Sequence, residues 1–118
     1  MDKANIYQHS TMEAITNRRS TVIFGDAGIS DNNMQLLLEA ASLAPSAYNE
    51  QPWQYLYAMR GTPIFDTIFS TLAIPNQEWA KHAAVLVVSL SRKYLARNGE
   101  PNFHHLYDTG AANAFIML

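Results

Sequence analysis

Apolar residues recur along the 118-residue chain at two spacings, one typical of helices and the other of strands. Between positions 34 and 41 they lie three or four residues apart, which places them on one face of a helix. Ser30 precedes this stretch and is a good N-cap residue. The pattern therefore predicts a helix from about residue 31 to residue 44, with an apolar face formed by Met34, Leu37, Leu38 and Ala41.

Two segments have the patterns of β-strands. Apolar side chains alternate in residues 54–59, which predicts a strand with one face formed by Tyr55, Tyr57 and Met59. Residues 83–90 form a continuous apolar run, which is typical of a central strand covered on both faces. Residues 20–24 are also β-prone, and we expect them to form an extended segment before a glycine-containing turn.

Three more helices are predicted from their first residues or their apolar faces. Thr62 followed by Pro63 is typical of a helix start, and this helix should run to residue 72, before a break at 73–77 and a further helical turn at 78–82. Ser10 and Glu13 have the spacing of a capping box, which predicts a short helix. After an exposed loop at 91–103, the last helix should start near residue 104, with an apolar face of Ala111, Ala114, Phe115 and Leu118.

Composition limits the classes of protein to which this chain can belong. Its length and its 48% content of hydrophobic residues suit a single domain over residues 1–118. With 8 basic and 10 acidic residues it has no basic stripe, so neither nucleic acid nor a membrane is an expected partner. The absence of cysteine excludes disulfides and thiolate metal sites. Residues 1–10 lack the apolar core of a secretory signal, and we expect a soluble, cytoplasmic protein.

The chain stops inside its last helical pattern. Residues 115–118 are all apolar and carry no C-cap signal, whereas natural domains usually place polar residues at a terminus. We therefore expect residues 1–118 to be the N-terminal portion of one domain whose C-terminal part is missing.

A polar turn at residues 45–53 separates the helix near 31–44 from the strand at 54–59. Pro45 and Pro52 oppose a helical conformation there, because proline lacks an amide hydrogen and disfavours helical geometry at the preceding residue. Between the prolines lie polar groups that can donate and accept hydrogen bonds, from Ser46, Asn49 and Gln51. The turn is a candidate site for a flat polar ligand, and the alternative is an ordinary loop that binds nothing.

Other residue patterns point to no further site. His104, His105 and Asp108 are spaced like part of a metal site, but a further ligand with suitable spacing is lacking, so no metal is predicted. The aromatic residues are not interleaved with basic ones, which favours a role in the core over base stacking. Neither a catalytic triad nor a pair of carboxylates is recognisable, so no catalytic residue is predicted.

Several motifs, taken in order, resemble those of the nitroreductase family of flavoenzymes. They are Arg18-Arg19-Ser20, residues 36–47, residues 49–53, Asn76-Gln77 followed by Trp79, and residues 108–113. The resemblance covers nearly the whole chain in the order and spacing of the family. It implies an α+β fold with a mainly antiparallel central sheet flanked by helices, and a homodimer that binds FMN at the subunit interface.

The resemblance also implies which residues contact FMN. One group would hold the phosphate and the ribityl chain: Arg18, Ser20 and, more weakly, Arg19. Arginine suits phosphate because its planar guanidinium makes paired hydrogen bonds. A second group would reach the flavin from the partner subunit: Pro45, Ser46, Ala47, Asn49 and, less firmly, Gln51. A third would contact the ring or ribityl chain from the same side as Arg18: Asn76 and Gln77.

The reaction implied by the resemblance is a two-step hydride transfer. NADH or NADPH reduces FMN, and a small-molecule electron acceptor such as a nitroaromatic or a quinone then takes the electrons. Such chemistry requires no side-chain acid or base, because the flavin supplies the reactive atom. The alternative is a truncated, inactive remnant that acts as a binding or interaction module, since family members continue well past the length of this chain.

Overall fold

A computed structural model of the chain describes residues 11–118. In this part of the chain, five α-helices and two β-strands follow one another. They are α1 (Glu13–Asn17), α2 (Asp31–Ser42), β1 (Trp53–Met59), α3 (Pro63–Ser70), α4 (Ile74–Ala80), β2 (Val85–Ser91) and α5 (His105–Met117). The strands pair in antiparallel fashion, so the predicted α+β fold with an antiparallel sheet is confirmed.

Helix α2 forms where the apolar spacing predicts it. The Ser30 side chain accepts a hydrogen bond from the Asn33 amide, which satisfies one of the amides that a helix start leaves free. Met34 and Ala41 are buried, and the helix ends at Ser42, two residues earlier than predicted. Helix α3 starts in the same way, because the Thr62 hydroxyl accepts from the Phe65 amide. The N-caps predicted at Ser30 and Thr62 are therefore confirmed.

The two strands form a ribbon whose register runs from the pair Trp53 and Ser91 to the pair Met59 and Val85. Half-buried and exposed side chains alternate over the first five positions of β1, in agreement with the predicted alternation. The prediction that β2 is covered on both faces is wrong for the described part of the chain, where Val87 is 38% exposed. An apolar run predicts that both faces of a strand are buried, but it does not predict which segments bury them.

Three weaker predictions have different outcomes. Residues 20–24 belong to no helix or strand, and their expected extended conformation stays a prediction. The predicted break between α3 and α4 exists, but it lies at 71–73 and not at 73–77, since α4 starts at Ile74 with Pro75 in its first turn, where no amide hydrogen is needed. Helix α1 starts at Glu13 with Met12 in the N-cap position. Ser10, the first residue of the predicted capping box, lies outside the described residues.

Helix α5 turns a different face inward from the one predicted. Asp108, Thr109 and Ala112 are its buried residues. Ala112 packs with Ala41 and Ala44 near α2, since small side chains let two helices approach closely. Of the residues predicted to form the inward face, only Ala111 packs partly against this cluster, while the others are exposed: Ala114, Phe115 and Leu118. The apolar pattern misled the prediction because a buried carboxyl group lies on the true inward face.

Candidate functional site

The turn between α2 and β1 has an unusual backbone. It contains a short 3-10 turn at Ala47–Asn49, in which Tyr48 has a φ of 56° and Asn49 a φ of 54°. Gln51 follows with a φ of 47°. Left-handed backbone is costly for residues other than glycine, and it persists only where the surrounding structure holds it in place. Such strain concentrates at functional sites, so this turn is the candidate site.

Hydrogen bonds inside the turn bring the predicted polar residues together. The Gln51 amide donates to Ser46 Oγ at 3.0 Å, and the Gln51 side-chain Nε2 donates to Asn49 Oδ1 at 2.9 Å. Pro52 is fully buried and anchors the end of the turn. Ser46, Asn49 and Gln51 therefore form one cluster, whose role as a cofactor site stays a prediction.

Helix α5 holds the start of the turn. The Ala47 amide donates to Asp108 Oδ2 at 2.9 Å, and Asp108 is only 5% exposed. A carboxyl oxygen that accepts a backbone amide fixes the position of that amide. Sequence reasoning missed this role for Asp108, which was considered as a metal ligand and as the first residue of the motif at 108–113. The available signal was a carboxyl group one helical turn before Ala112 in a predicted helix.

The loop after β2 holds the end of the turn through Glu50. Glu50 Oε2 accepts from the Ala96 amide at 2.8 Å and lies 3.3 Å from Arg92 Nη2. The Glu50 side chain is only 5% exposed. The Ala96 amide and then the Arg92 guanidinium lower the pKa of Glu50 from its ordinary value of 4.5, although desolvation by burial opposes them. Sequence reasoning also missed Glu50, because its partners lie more than forty residues away.

We expect acid to weaken the fold through Glu50. Because its pKa is lowered in the folded state, the contribution of Glu50 is present above the unfolded pKa of about 4.5 and is lost as pH falls through the folded value. Urea unfolding of the wild type and Glu50→Gln, followed from about pH 6.5 to about pH 3.5, measures this effect. The wild type should lose stability more steeply than the variant below about pH 4.5. Parallel curves would contradict the prediction.

The first group of predicted cofactor residues lies just after α1. Arg18 Nη1 donates to Ser20 Oγ at 3.4 Å, so the structure brings these two side chains together. Arg19 Nη1 donates to the carbonyl oxygens of Thr16 at 2.9 Å and Arg18 at 3.0 Å. The guanidinium of Arg19 is thus turned back toward α1, and the ranking of the two arginines as cofactor residues stays a prediction.

The third group of predicted residues lies in α4 and not in a loop. The Asn76 side chain is exposed. Gln77 is half-buried, and its Nε2 donates to the carbonyl oxygens of Leu72 at 3.0 Å and Phe69 at 3.4 Å. Phe69 lies in the last turn of α3, where a helix leaves its last acceptors free, and Leu72 lies just after that helix. Gln77 therefore already has a structural role, which leaves Asn76 as the stronger candidate.

The segment after Ser20 lies against α4 and the end of the strand ribbon. The rings of Phe24 and Trp79 are 6.1 Å apart between centroids. Arg60 donates to the carbonyl oxygens of Asp26 at 2.8 Å and His82 at 2.7 Å. These contacts place the residues that follow Ser20 near the helix that carries Asn76, as a shared site for the first and third groups requires.

A small cavity lies between the sheet and α5, away from the turn's polar cluster. Tyr55 donates from its hydroxyl to Asn113 Oδ1 at 2.7 Å, and Ser89 Oγ donates to the same atom at 3.0 Å. Burial raises the pKa of the Tyr55 hydroxyl. The cavity has a volume of about 140 Å³, which is below the roughly 300–1,000 Å³ of typical ligand sites. It is therefore a packing feature of the sheet face.

Residues 11–118 contain no group of three or more side chains that could hold a metal ion. None of the helices in this part of the chain is long and apolar enough to cross a membrane.

The sequence and the fold both match known proteins. A model of the nitroreductase family matches residues 15–62. A curated protein of Archaeoglobus fulgidus, named for NADH dehydrogenase/NAD(P)H nitroreductase activity, is 47% identical over 45 residues, which cover 38% of this chain and 26% of that protein. The matched region contains α2 and the turn, so the resemblance to the nitroreductase family is confirmed.

Two solved structures extend the match to most of the chain. An oxidoreductase described as containing FMN has a TM-score of 0.85 and 29% identity over 93% of this chain and 57% of its own. A protein of Desulfovibrio desulfuricans, described as a nitroreductase in complex with FMN, has a TM-score of 0.72 and 27% identity over 89% of this chain and 58% of its own. This chain thus spans less than two thirds of either structure and about a quarter of the curated relative.

Proposed function

We propose that this chain, which shares the sequence motifs and the fold of the nitroreductase family, belongs to an FMN-dependent oxidoreductase. NADH or NADPH is the proposed electron donor, and a small molecule such as a nitroaromatic or a quinone is the proposed acceptor. The observation that carries the proposal is the strained polar turn at residues 45–53. Its backbone strain, its buried tethers and its motif coincide at the place where the family resemblance assigns the flavin.

The residues present have the chemistry that FMN requires. Arg18 and Ser20 lie side by side and can offer a guanidinium and a hydroxyl group to a phosphate. Ser46, Asn49 and Gln51 supply hydroxyl and amide groups on a fixed backbone, which suits the edge of a flat polar ring. The exposed amide of Asn76 adds a further donor.

Bound FMN would supply the hydride chemistry, and the chain's own residues would bind and orient it. The Ser46 to Gln51 hydrogen bond sets the direction of the turn's polar groups before any ligand arrives. Preorganised donors stabilise negative charge better than donors that must first reorient. The described residues thus serve as binding and orienting groups, and we assign no catalytic acid or base.

A homodimer with FMN at the subunit interface is part of the proposal. Five large apolar side chains are 38% to 74% exposed and line one surface groove with Ala40: Met12, Ile15, Leu43, Phe115 and Leu118. Contiguous exposed apolar surface of this kind usually marks a site of association. The groove lies at the side of the fold formed by α2 and α5. Helix α2 precedes the turn, and α5 holds the start of the turn through Asp108.

The decisive experiment is titration of the purified 118-residue protein with FMN, monitored by flavin fluorescence, with light scattering to measure its mass. We expect saturable binding, a dimeric mass in the flavin-loaded fraction and oxidation of NADH or NADPH by that fraction. A monomer with stoichiometric FMN would contradict the shared site. A dimer that binds no FMN would favour the alternative of an interaction module.

We expect Arg18→Ala to weaken FMN binding by about tenfold and Arg19→Ala to weaken it less. Arg18 is directed toward Ser20, whereas the Arg19 guanidinium is directed toward carbonyl oxygens of α1 and Arg18. Fluorescence titration of the two variants side by side measures the difference, and each serves as the charge-matched control of the other. Equal or reversed losses would show that the two arginines have been assigned wrongly.

A further inference from the structure

Glu50 occupies a central position in the turn, and the family resemblance assigns it no role although it lies within the motif at residues 49–53. It has an ordinary backbone conformation, with a φ of −66°, between the left-handed residues Asn49 and Gln51. Its side chain points away from solvent and is only 5% exposed. A buried carboxyl group is costly unless its oxygens are paired. The partners of Glu50 therefore show what the carboxyl group does there.

Those partners come from the loop after β2. Oε2 accepts from the Ala96 amide at 2.8 Å and from Arg92 Nη2 at 3.3 Å, and Oε1 lies 4.0 Å from Arg97 Nε. Arg97 also places its guanidinium 3.8 Å from the centre of the Tyr48 ring. The carboxyl group thus ties the loop to the turn on both sides of Asn49.

The main chain of the turn is fixed by the same loop. Arg92 Nη2 donates to the Glu50 carbonyl oxygen at 2.9 Å, and the Arg92 amide donates to the Pro52 carbonyl oxygen at 2.9 Å. These bonds hold the peptide group that precedes Gln51 and the one that follows Pro52, and Gln51 between them has a φ of 47°. The left-handed backbone of Gln51 cannot relax without breaking one of these hydrogen bonds.

We propose that Glu50 is a positioning residue that locks the left-handed turn and so presents Asn49 and Gln51 to the cofactor. This role rests on the proposed function for its ligand, but the geometry of the turn is independent of that function. Glu50 itself does not face the cofactor, because its carboxyl group is paired with Arg92 and Arg97 and accepts a hydrogen bond from the Ala96 amide. Its effect on the cofactor therefore passes through Asn49 and Gln51.

The test compares Glu50→Gln with Glu39→Gln, which neutralises an exposed glutamate of α2. Hydrogen exchange of the protein without FMN reports on the turn, and FMN titration reports on the site. In Glu50→Gln we expect the amides of Ala96 and Gln51 to exchange at least about tenfold faster, while amides of α3 stay unchanged. We expect the FMN dissociation constant to rise about tenfold, and the Glu39→Gln control to match the wild type in both measurements.

The outcomes distinguish failure of the positioning role of Glu50 from failure of the proposed FMN-dependent function. Faster exchange with unchanged FMN affinity would show that Glu50 stabilises the loop only, and would overturn its positioning role. Unchanged exchange at Gln51 would also overturn it. A wild type that binds no FMN would refute the proposed function, and exchange at Gln51 would still decide whether Glu50 locks the turn.

A double-mutant cycle gives a second, independent test. Arg92→Gln removes the guanidinium that bonds both to the Glu50 side chain and to its carbonyl oxygen. If the two residues act as one unit, adding Glu50→Gln to Arg92→Gln should increase Gln51 exchange less than twofold further. Fully additive effects on Gln51 exchange would show that they act separately, and the proposed lock would be wrong.

Discussion

Replacement of Phe65 by alanine should lower the free energy of unfolding by about 3–5 kcal/mol. Phe65 is 4% exposed on α3, the helix that contacts both strands of the sheet. Its ring also stacks on that of Phe69, with 6.4 Å between centroids. Loss of the ring removes buried apolar area and leaves a cavity in a chain that has few large buried side chains. Urea unfolding followed by circular dichroism measures the change.

The matched control for Phe65→Ala is Ile64→Ala, one residue earlier in the same helix. Ile64 is 64% exposed, so its truncation should cost less than about 1 kcal/mol. Both substitutions introduce alanine, which means that helix propensity changes little between them. Similar losses in the two variants would show that the burial of the Phe65 ring does not stabilise the fold.

Replacement of Asp108 by alanine should cost about 1.5–3 kcal/mol of stability and weaken FMN binding by more than tenfold. The substitution leaves the Ala47 amide without its acceptor in a partly buried place. It also releases the start of the turn from α5, so that the turn keeps only its bonds to the loop after β2. Unfolding curves and FMN titration of the same preparation measure the two effects.

Asp108→Asn is the control that separates hydrogen bonding from shape. Asparagine keeps an oxygen that can accept from the Ala47 amide, so most of the stability should remain. If Asp108→Asn is as damaging as Asp108→Ala, then the bond to Ala47 is not what Asp108 contributes. Unchanged FMN affinity in Asp108→Ala would show that the turn does not depend on α5.

The elements that the sequence predicted well are those set by neighbouring residues. Ser30 and Thr62 cap helices because their hydroxyl groups reach an amide three residues ahead, which is visible in any local window. The alternation in β1 is local in the same sense. Helix α5 was oriented wrongly because the apolar side chains at 114, 115 and 118 outweighed a single aspartate. The reason for burying Asp108 lies at Ala47, 61 residues away.

The residues of the candidate site also differ in whether neighbouring residues or distant contacts determine their roles. The polar residues between Pro45 and Pro52 are apparent from composition, and the family motif adds Arg18 and Asn76. Glu50 and Asp108 lie within those motifs, but neither source of information reveals their roles, because these depend on loops and helices that approach only in three dimensions. The left-handed backbone of Tyr48 is equally hidden, since tyrosine has no preference for it.

The long-range tethers of the turn also determine when it can form during folding. Its bonds to Asp108, Arg92 and Ala96 span 61, 42 and 46 residues of sequence. Until those contacts exist, nothing offsets the strain of the left-handed residues, and closing such long loops is slow compared with forming a helix. The turn should therefore become ordered after the folding transition state, with φ-values near zero for substitutions at Glu50. Substitutions there should speed unfolding and leave the folding rate almost unchanged, so the turn should form late in folding and be lost early in unfolding.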